Sequence, residues 1–313
     1  MRLIALAAFA ALLPAAAHAQ TPVATEQPLL HEIAGQIQPE RMRADITALV
    51  GFGTRHTLSQ TDSDTRGIGA ARRWAESQLR AISTECGGCI EIALPADTVT
   101  GRRVPTPTEV VNVLGIQKGS GDPQRVIVIS GHIDSRVTDV MDSTSDAPGA
   151  NDDASGVAAV LEAARVLSKQ KFGATLVYAV LSGEEQGLLG GKILADYAKV
   201  RGWIVEANLN NDIVGNSQGQ SGVRDTTRVR VFSEGTKTVE TPEQAATRRY
   251  NGGELDSSSR NLARFIDGVA DRYLTNFDVE MIYRTDRFGR GGDQTEMLKA
   301  GFPAVRITEG AEN

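Results

Sequence analysis

The sequence predicts an α/β protein, a sheet covered by helices on both faces. Nearly continuous apolar, β-branched runs such as Val126–Ile129 and Ala174–Leu181 read as strands buried on both sides. Between such runs lie segments with apolar residues at helical spacing, for example Val157, Val160, Leu161, Ala164 and Leu167. Strands and helices then alternate along most of the chain, as a sheet with helices on both faces requires. At 313 residues, with 41% hydrophobic and 23% charged positions, the chain is long enough to bury a substantial core in one large or two modest domains. No linker divides it, so residues 41–313 read as one domain.

The elements follow in order. Met1-Arg2, the apolar run Leu3–Leu13 and Ala17-His18-Ala19 form a short positive start, an apolar core and a small-residue cleavage site. The run is too short to span a bilayer, which needs roughly 20 apolar residues. Residues 1–19 are therefore expected to be a signal peptide, and the mature protein to be secreted or periplasmic with no membrane segment. Residues 20–40 are weakly patterned and read as an arm. Helical spacing covers Arg41–Leu49 and Asp64–Ile82, the latter with Ile68, Ala71, Trp74, Ala75, Leu79 and Ile82 on one face. Strands are expected at Ile90–Ala93, Val110–Ile116 and Val126–Ile129, a helix at Asp153–Lys169 and a strand at Ala174–Leu181. A helix at Leu188–Val200 and strands at Glu206–Asn211 and Val229–Phe232 follow, then a helix at Asp256–Leu274 and a strand at Ala304–Thr308. Gly215–Thr227 and Ser233–Gly253 look like polar excursions from the sheet.

Charge and composition exclude some partners. With 33 basic against 39 acidic residues the net charge is −6, the wrong sign for a nucleic acid or an anionic membrane. Aromatic residues, 5% of the chain, are too few for a base-stacking platform. Cys86-Gly87-Gly88-Cys89 holds both cysteines; without a second pair it cannot make a four-thiolate zinc site, and in an exported protein a local disulfide is expected.

The chemistry-bearing residues gather where strands end. Val126–Ile129 runs into Ser130-Gly131-His132-Ile133-Asp134, and Ala174–Leu181 into Ser182-Gly183-Glu184-Glu185-Gln186-Gly187. The Glu206–Asn211 strand runs into Asp212, and Ala304–Thr308 into Glu309. Open α/β sheets bind ligands beyond such ends. Pro148-Gly149-Ala150-Asn151-Asp152-Asp153-Ala154-Ser155-Gly156 precedes a helix. Singly these are ordinary features: Asp152 or Asp153 as a helix cap, Glu184-Glu185 as a solvated turn, Asp212 as a loop residue. Together, one imidazole and several carboxylates make a ligand set suited to zinc or a similar divalent ion.

In this order, His-x-Asp, Pro-Gly-Ala-Asn-Asp-Asp-Ala-Ser-Gly, Ser-Gly-Glu-Glu-x-Gly-Leu and Asn-Asn-Asp resemble the motifs of secreted dinuclear zinc aminopeptidases. These are relatives of aminopeptidase Y, bacterial leucyl aminopeptidase and the catalytic domain of glutamate carboxypeptidase II. The resemblance runs from about Ile46 to the chain end and implies a three-layer, mixed, mostly parallel sheet of eight strands, zinc exopeptidase-like. It further implies two zinc ions and hydrolysis of peptides from a free N-terminus. By resemblance His132 and Asp212 bind one ion, Glu185 the other and Asp152 bridges them, with Glu184 as general base. Asp134, two residues from His132, is expected to accept the imidazole's other N–H and fix its tautomer. Family members add a late histidine to the second site, whereas the chain has none after His132. The expectation is therefore a longer protein, C-terminally truncated here, with the second ion held weakly by this form.

Two other function classes share the resemblance. A glutaminyl cyclase would hold a single zinc, and a binding relative would have lost the metals and the glutamates. Carboxypeptidase or dipeptidase activity is the alternative within the family. Gly215-Asn216-Ser217-Gln218-Gly219 matches the serine-hydrolase pattern, but a polar loop follows it where a nucleophile elbow needs a helix, and no histidine lies downstream.

Overall fold

The computed structural model describes residues 27–253 and 256–311. The signal peptide expected at residues 1–19 lies outside them. The elements are α1 (Pro28–Ala34), α2 (Pro39–Gly51), α3 (Gly67–Glu85), β1 (Ile90–Ala93), β2 (Ala96–Gly101), β3 (Val104–Val111), β4 (Val113–Gln117) and β5 (Asp122–His132). Then come α4 (Ala154–Leu167), β6 (Ala174–Leu181), α5 (Leu189–Val200), β7 (Ile204–Asn211) and β8 (Arg228–Phe232). The rest are α6 (Pro242–Asn251), α7 (Ser258–Tyr273), β9 (Asp278–Ile282), α8 (Gln294–Lys299) and β10 (Ala304–Glu309).

Eight strands form one mixed sheet in the order β1-β4-β6-β5-β7-β10-β8-β9, while β2 and β3 pair as a separate hairpin. The central strands β6, β5, β7 and β10 are parallel, so their carboxyl ends share one edge. The period of two along a strand explains why β6 is apolar throughout. Leu176, Tyr178 and Val180 face a core with Leu79 and Ile82 of α3 and Val157 and Leu161 of α4. Val177, Ala179 and Leu181 face the opposite core, with Leu194 of α5 and Met297 of α8. Both faces are covered, as an α/β layering demands. A smaller cluster, including Val231, Val279 and Val305, packs α7 against the β10-β8-β9 end.

Some elements depart from the sequence pattern. The single strand expected over Val110–Ile116 is cut at Asn112. The buried Asn112 side chain donates to Gly190 O at 2.9 Å and accepts from Ser182 N at 3.0 Å, turning the chain from the hairpin into the sheet. The helix expected from Asp64 begins at Gly67, where φ is +87° and a Cβ would meet Gln60 O at 2.4 Å. The arm at residues 20–40 contains α1 and the start of α2, and the excursion at Ser233–Gly253 contains α6. Neither α1 nor α6 buries a residue, so neither carries the apolar stripe that reveals a helix. A Thr241–Gln244 capping box with Pro242 at its start supports α6 instead. Cys86 and Cys89 form a disulfide across the turn from α3 into β1.

Candidate metal centre

The parallel centre of the sheet puts the ends of β5, β6 and β7 side by side, and with them His132, the Glu184-Glu185 turn and Asp212. One donor atom from each of His132, Asp152 and Asp212 lies within 4.8 Å of the other two. His132 Nε2 is 3.1 Å from Asp152 Oδ1 and 3.9 Å from Asp212 Oδ1. The other ring nitrogen, Nδ1, lies 3.1 Å from the Asp134 carbonyl and 3.6 Å from its carboxylate. An N–H donated there turns Nε2 toward the two aspartates, where the neutral ring would offer its lone pair to a cation.

The main-chain carbonyl of Asp134 takes the contact anticipated for its carboxylate, because that carboxylate is engaged elsewhere. Its Oδ1 accepts from Gly183 N at 2.9 Å and Glu184 N at 3.2 Å. Its Oδ2 accepts from Glu185 N at 3.1 Å and Thr57 Oγ1 at 3.0 Å. Buried and charged, Asp134 thus fixes the turn that carries both glutamates. Asp153 has the parallel task next to Asp152: Oδ1 accepts from Gly156 N, capping α4, and from Ile213 N, while Oδ2 accepts from His132 N at 3.0 Å. One carboxylate therefore clips β5, the loop after β7 and α4 together, and its neighbour Asp152 is left facing the cleft. The peptide between them is cis.

Glu184 lines the cleft and makes no side-chain hydrogen bond or ion pair among the described residues. Burial, with the charges of Asp212, Glu185 and Asp293 added, holds its carboxyl well above the usual range. Glu185 is pushed up to about 7 by burial and by Asp152. Burial also raises Asp212, although Arg306 opposes it. Burial disfavours a charged His132 imidazole, yet hydrogen bonding to Asp134 and Asp152 outweighs that and raises it well above its ordinary value. A buried donor set of one imidazole and mutually repelling carboxylates is short of positive charge, and a divalent cation supplies it. The residues fit zinc.

Of the residues singled out from sequence, His132, Asp152 and Asp212 converge, and Glu184 and Glu185 line the same cleft of about 380 Å³. The Glu185 carboxylate is paired with the Arg136 guanidinium, outside the three-residue cluster. Glu309 accepts from Asn151 Nδ2 at 2.9 Å and braces the loop before Asp152. His56 is buried with Nε2 against Val140 O, and belongs to no metal cluster among the described residues. The Ser217 segment leads into a loop closed by a Gln218–Arg224 bridge, with no helix following.

Sequence reasoning missed the arginines. Arg306, fully buried in β10, donates from Nη2 to Asp212 Oδ1 at 2.9 Å and from Nη1 to Asp286 at 2.9 Å. Its signal was a charge inside the apolar run Ala304-Val305-Arg306-Ile307, where a buried guanidinium needs a carboxylate. Arg55, also fully buried, donates to the carbonyls of Ile133, Leu49, Pro148 and Gly149, tying together the loops that carry Asp134 and Asp152. Arg103, Arg136, Arg287 and Arg290 line the cleft itself, and loops give no periodicity from which to anticipate them.

Comparison with known proteins agrees with this geometry. A probable zinc metalloprotease from Leptosphaeria maculans is 48% identical over 89% of this chain and 65% of its own length. Another, from Pyricularia oryzae, is 46% identical over 89% of this chain and 56% of its own length. The chain thus spans less than two thirds of these curated relatives. Among solved structures, Legionella pneumophila LapA gives a TM-score of 0.65 at 16% identity, covering 94% of this chain and 68% of that one. A Bacteroides thetaiotaomicron glutaminyl cyclase gives 0.60 at 17% identity, covering 87% and 84%. At such identities the likeness shows a shared fold, and that fold carries more than one chemistry. The sequence profile of Peptidase family M28 matches residues 112–313, the stretch that holds every strand-end carboxylate described above, and the chain belongs to that family.

Proposed function

We propose that this protein is a zinc-dependent aminopeptidase that removes N-terminal residues from peptides. The observation that carries the reading is the convergence of His132, Asp152 and Asp212 in one cleft with Glu184, whose carboxyl has no other partner among the described residues. His132, Asp152 and Asp212 would hold one zinc ion, and Glu185, with Asp152, would hold a second. Zinc bound there supplies a Lewis acid for the scissile carbonyl and lowers the pKa of water. Glu184, which lines the cleft beside these residues, then takes the proton of the attacking water and passes it to the leaving amine. Asp134 positions Glu184 by holding the backbone of its turn.

Curated relatives named as zinc metalloproteases support hydrolysis over cyclisation. Carboxypeptidase or dipeptidase activity is the second reading, favoured by the arginines that line the cleft. The start-to-Ala19 pattern and the Cys86–Cys89 disulfide support export to an oxidising compartment. The deciding experiment compares aminoacyl anilides with N-blocked peptides on zinc-loaded protein, alongside Glu184→Gln. Anilides should be cleaved and N-blocked peptides spared, and Glu184→Gln should keep its zinc while losing on the order of 10²–10⁴-fold in rate. Near-normal turnover by that variant removes Glu184 from the mechanism; cleavage of the blocked peptides alone establishes the second reading.

A further inference from the structure

Four guanidinium groups share the cleft walls with the carboxylates. Arg103 comes from the turn of the β2–β3 hairpin, Arg136 from the segment after β5, and Arg287 and Arg290 from the loop between β9 and α8. Each guanidinium offers five N–H donors in a flat fork, and Arg103 and Arg290 leave most of theirs unused among the described residues. Arg136 gives Nε to Glu185 and Nη1 to Val137 O. Arg103 gives Nη1 to Glu185 O at 2.9 Å. Arg287 lies 3.4 Å from Asp286, and the Arg290 side chain makes no hydrogen bond or ion pair among the described residues.

Against these stand four cleft carboxylates, Asp152, Glu184, Glu185 and Asp212. Among the described residues Arg136 pairs directly with one of these carboxylates, Glu185. Zinc held by those carboxylates would offset their charge and leave the guanidiniums in excess. Arginine cannot shed its proton, so that excess is answered by an anion. Because the arginines arrive from three separate segments around the donor atoms, the anion they suit is small and close to the reacting bond.

We propose that Arg103, Arg136, Arg287 and Arg290 form a carboxylate-recognition site, so that the enzyme selects peptides carrying a carboxylate next to the scissile bond. This rests on the peptidase reading above. The carboxylate comes either from an acidic first side chain or from the free C-terminus of a short peptide; both present the same planar pair of oxygens, which an arginine fork binds in bidentate fashion.

Matched substrates test it on the zinc-loaded protein: Glu-anilide against Gln-anilide, and the dipeptide Leu-Ala against its C-terminal amide. The carboxylate member of at least one pair should have a kcat/KM roughly tenfold or more above its amide partner, a ratio that shrinks with added salt. Arg290→Gln, and separately Arg103→Gln, should compress the same ratio. A preference in the first pair only identifies the side chain, and in the second only the C-terminus. Ready turnover with no preference in either pair overturns the arginine site and leaves the peptidase reading standing. If no peptide is cleaved, that reading fails, and thermal shift with free glutamate against free glutamine decides the site alone. Greater stabilisation by glutamate that disappears in Arg290→Gln upholds it; equal stabilisation overturns it.

Discussion

Glu162 illustrates how a single residue can be plain in the sequence and still not be read. It sits in α4 among apolar positions and is almost fully buried, accepting from Gln38 N at 2.8 Å and from Arg41 Nε at 3.0 Å. Those bonds anchor the start of α2. Like Arg306 in β10, it is a charge inside an apolar pattern, which implies a partner without saying which one; the partner lies 121 residues away. By contrast His132, Asp152, Glu184, Glu185 and Asp212 were legible because each occupies a short motif with its own chemistry. Burial raises the Glu162 pKa, but Arg41 and the Gln38 amide outweigh it, and the carboxyl lies below its ordinary value of 4.5. A depressed carboxyl contributes stability that is present above the unfolded-state pKa and lost as pH falls through the folded one. Glu162→Gln should therefore cost about 1–3 kcal/mol at pH 7. The gap between variant and wild type should close as the pH drops below 4.5. Denaturant melts at several pH values measure this, and a gap that widens in acid would contradict it.

At the scale of elements, strands were read well where both faces are buried and poorly where they are not. The β6 span emerged from its apolar run with the same bounds, Ala174–Leu181, because every residue but the first is buried. β2 has no buried residue and β9 only one, so neither shows the run or the clean alternation that marks a strand. The excursions hid α6 for the same reason. Boundaries such as Asn112 depend on a partner, Ser182, that sequence distance conceals. The disulfide between α3 and β1 was legible, since the spacing and the expected export both favoured it. Its effect should be small, because a loop closed over a separation of 3 residues removes little entropy from the unfolded chain, about 2 kcal/mol at most. Replacing Cys86 and Cys89 with Ser should lower Tm by about 4–8 °C or less. Denatured, unreduced wild-type protein should contain no free thiol. Two titratable thiols would show the pair to be reduced.

For the whole molecule, the proposed two-zinc reading implies two unequal metal positions at the shared edge of the parallel strands. Three donors, His132, Asp152 and Asp212, already converge, and Arg306 steadies Asp212 from behind. The other position would take Asp152 and Glu185, whose carboxylate is paired with Arg136. The chain has no histidine after His132, and neither His31 nor His56 joins a metal cluster among the described residues. Filling the second position requires Glu185 to exchange a guanidinium for the ion, whereas filling the first requires only that neighbouring side chains close on it. Zinc titration of metal-free protein by calorimetry should therefore give one tight site and one markedly weaker site. Binding to the folded state alone adds stability by mass action, about 2.7 kcal/mol at a hundredfold excess over Kd. Thermal unfolding should thus rise steeply with the first equivalent of zinc and only gradually after it, and chelation should reverse both steps. His132→Ala should abolish the first, steep step. Arg136→Gln, which frees the Glu185 carboxylate, should tighten the second site. Two equal tight sites in the wild type, or no response of the second site to Arg136→Gln, would show that the Arg136–Glu185 pair does not govern the loading.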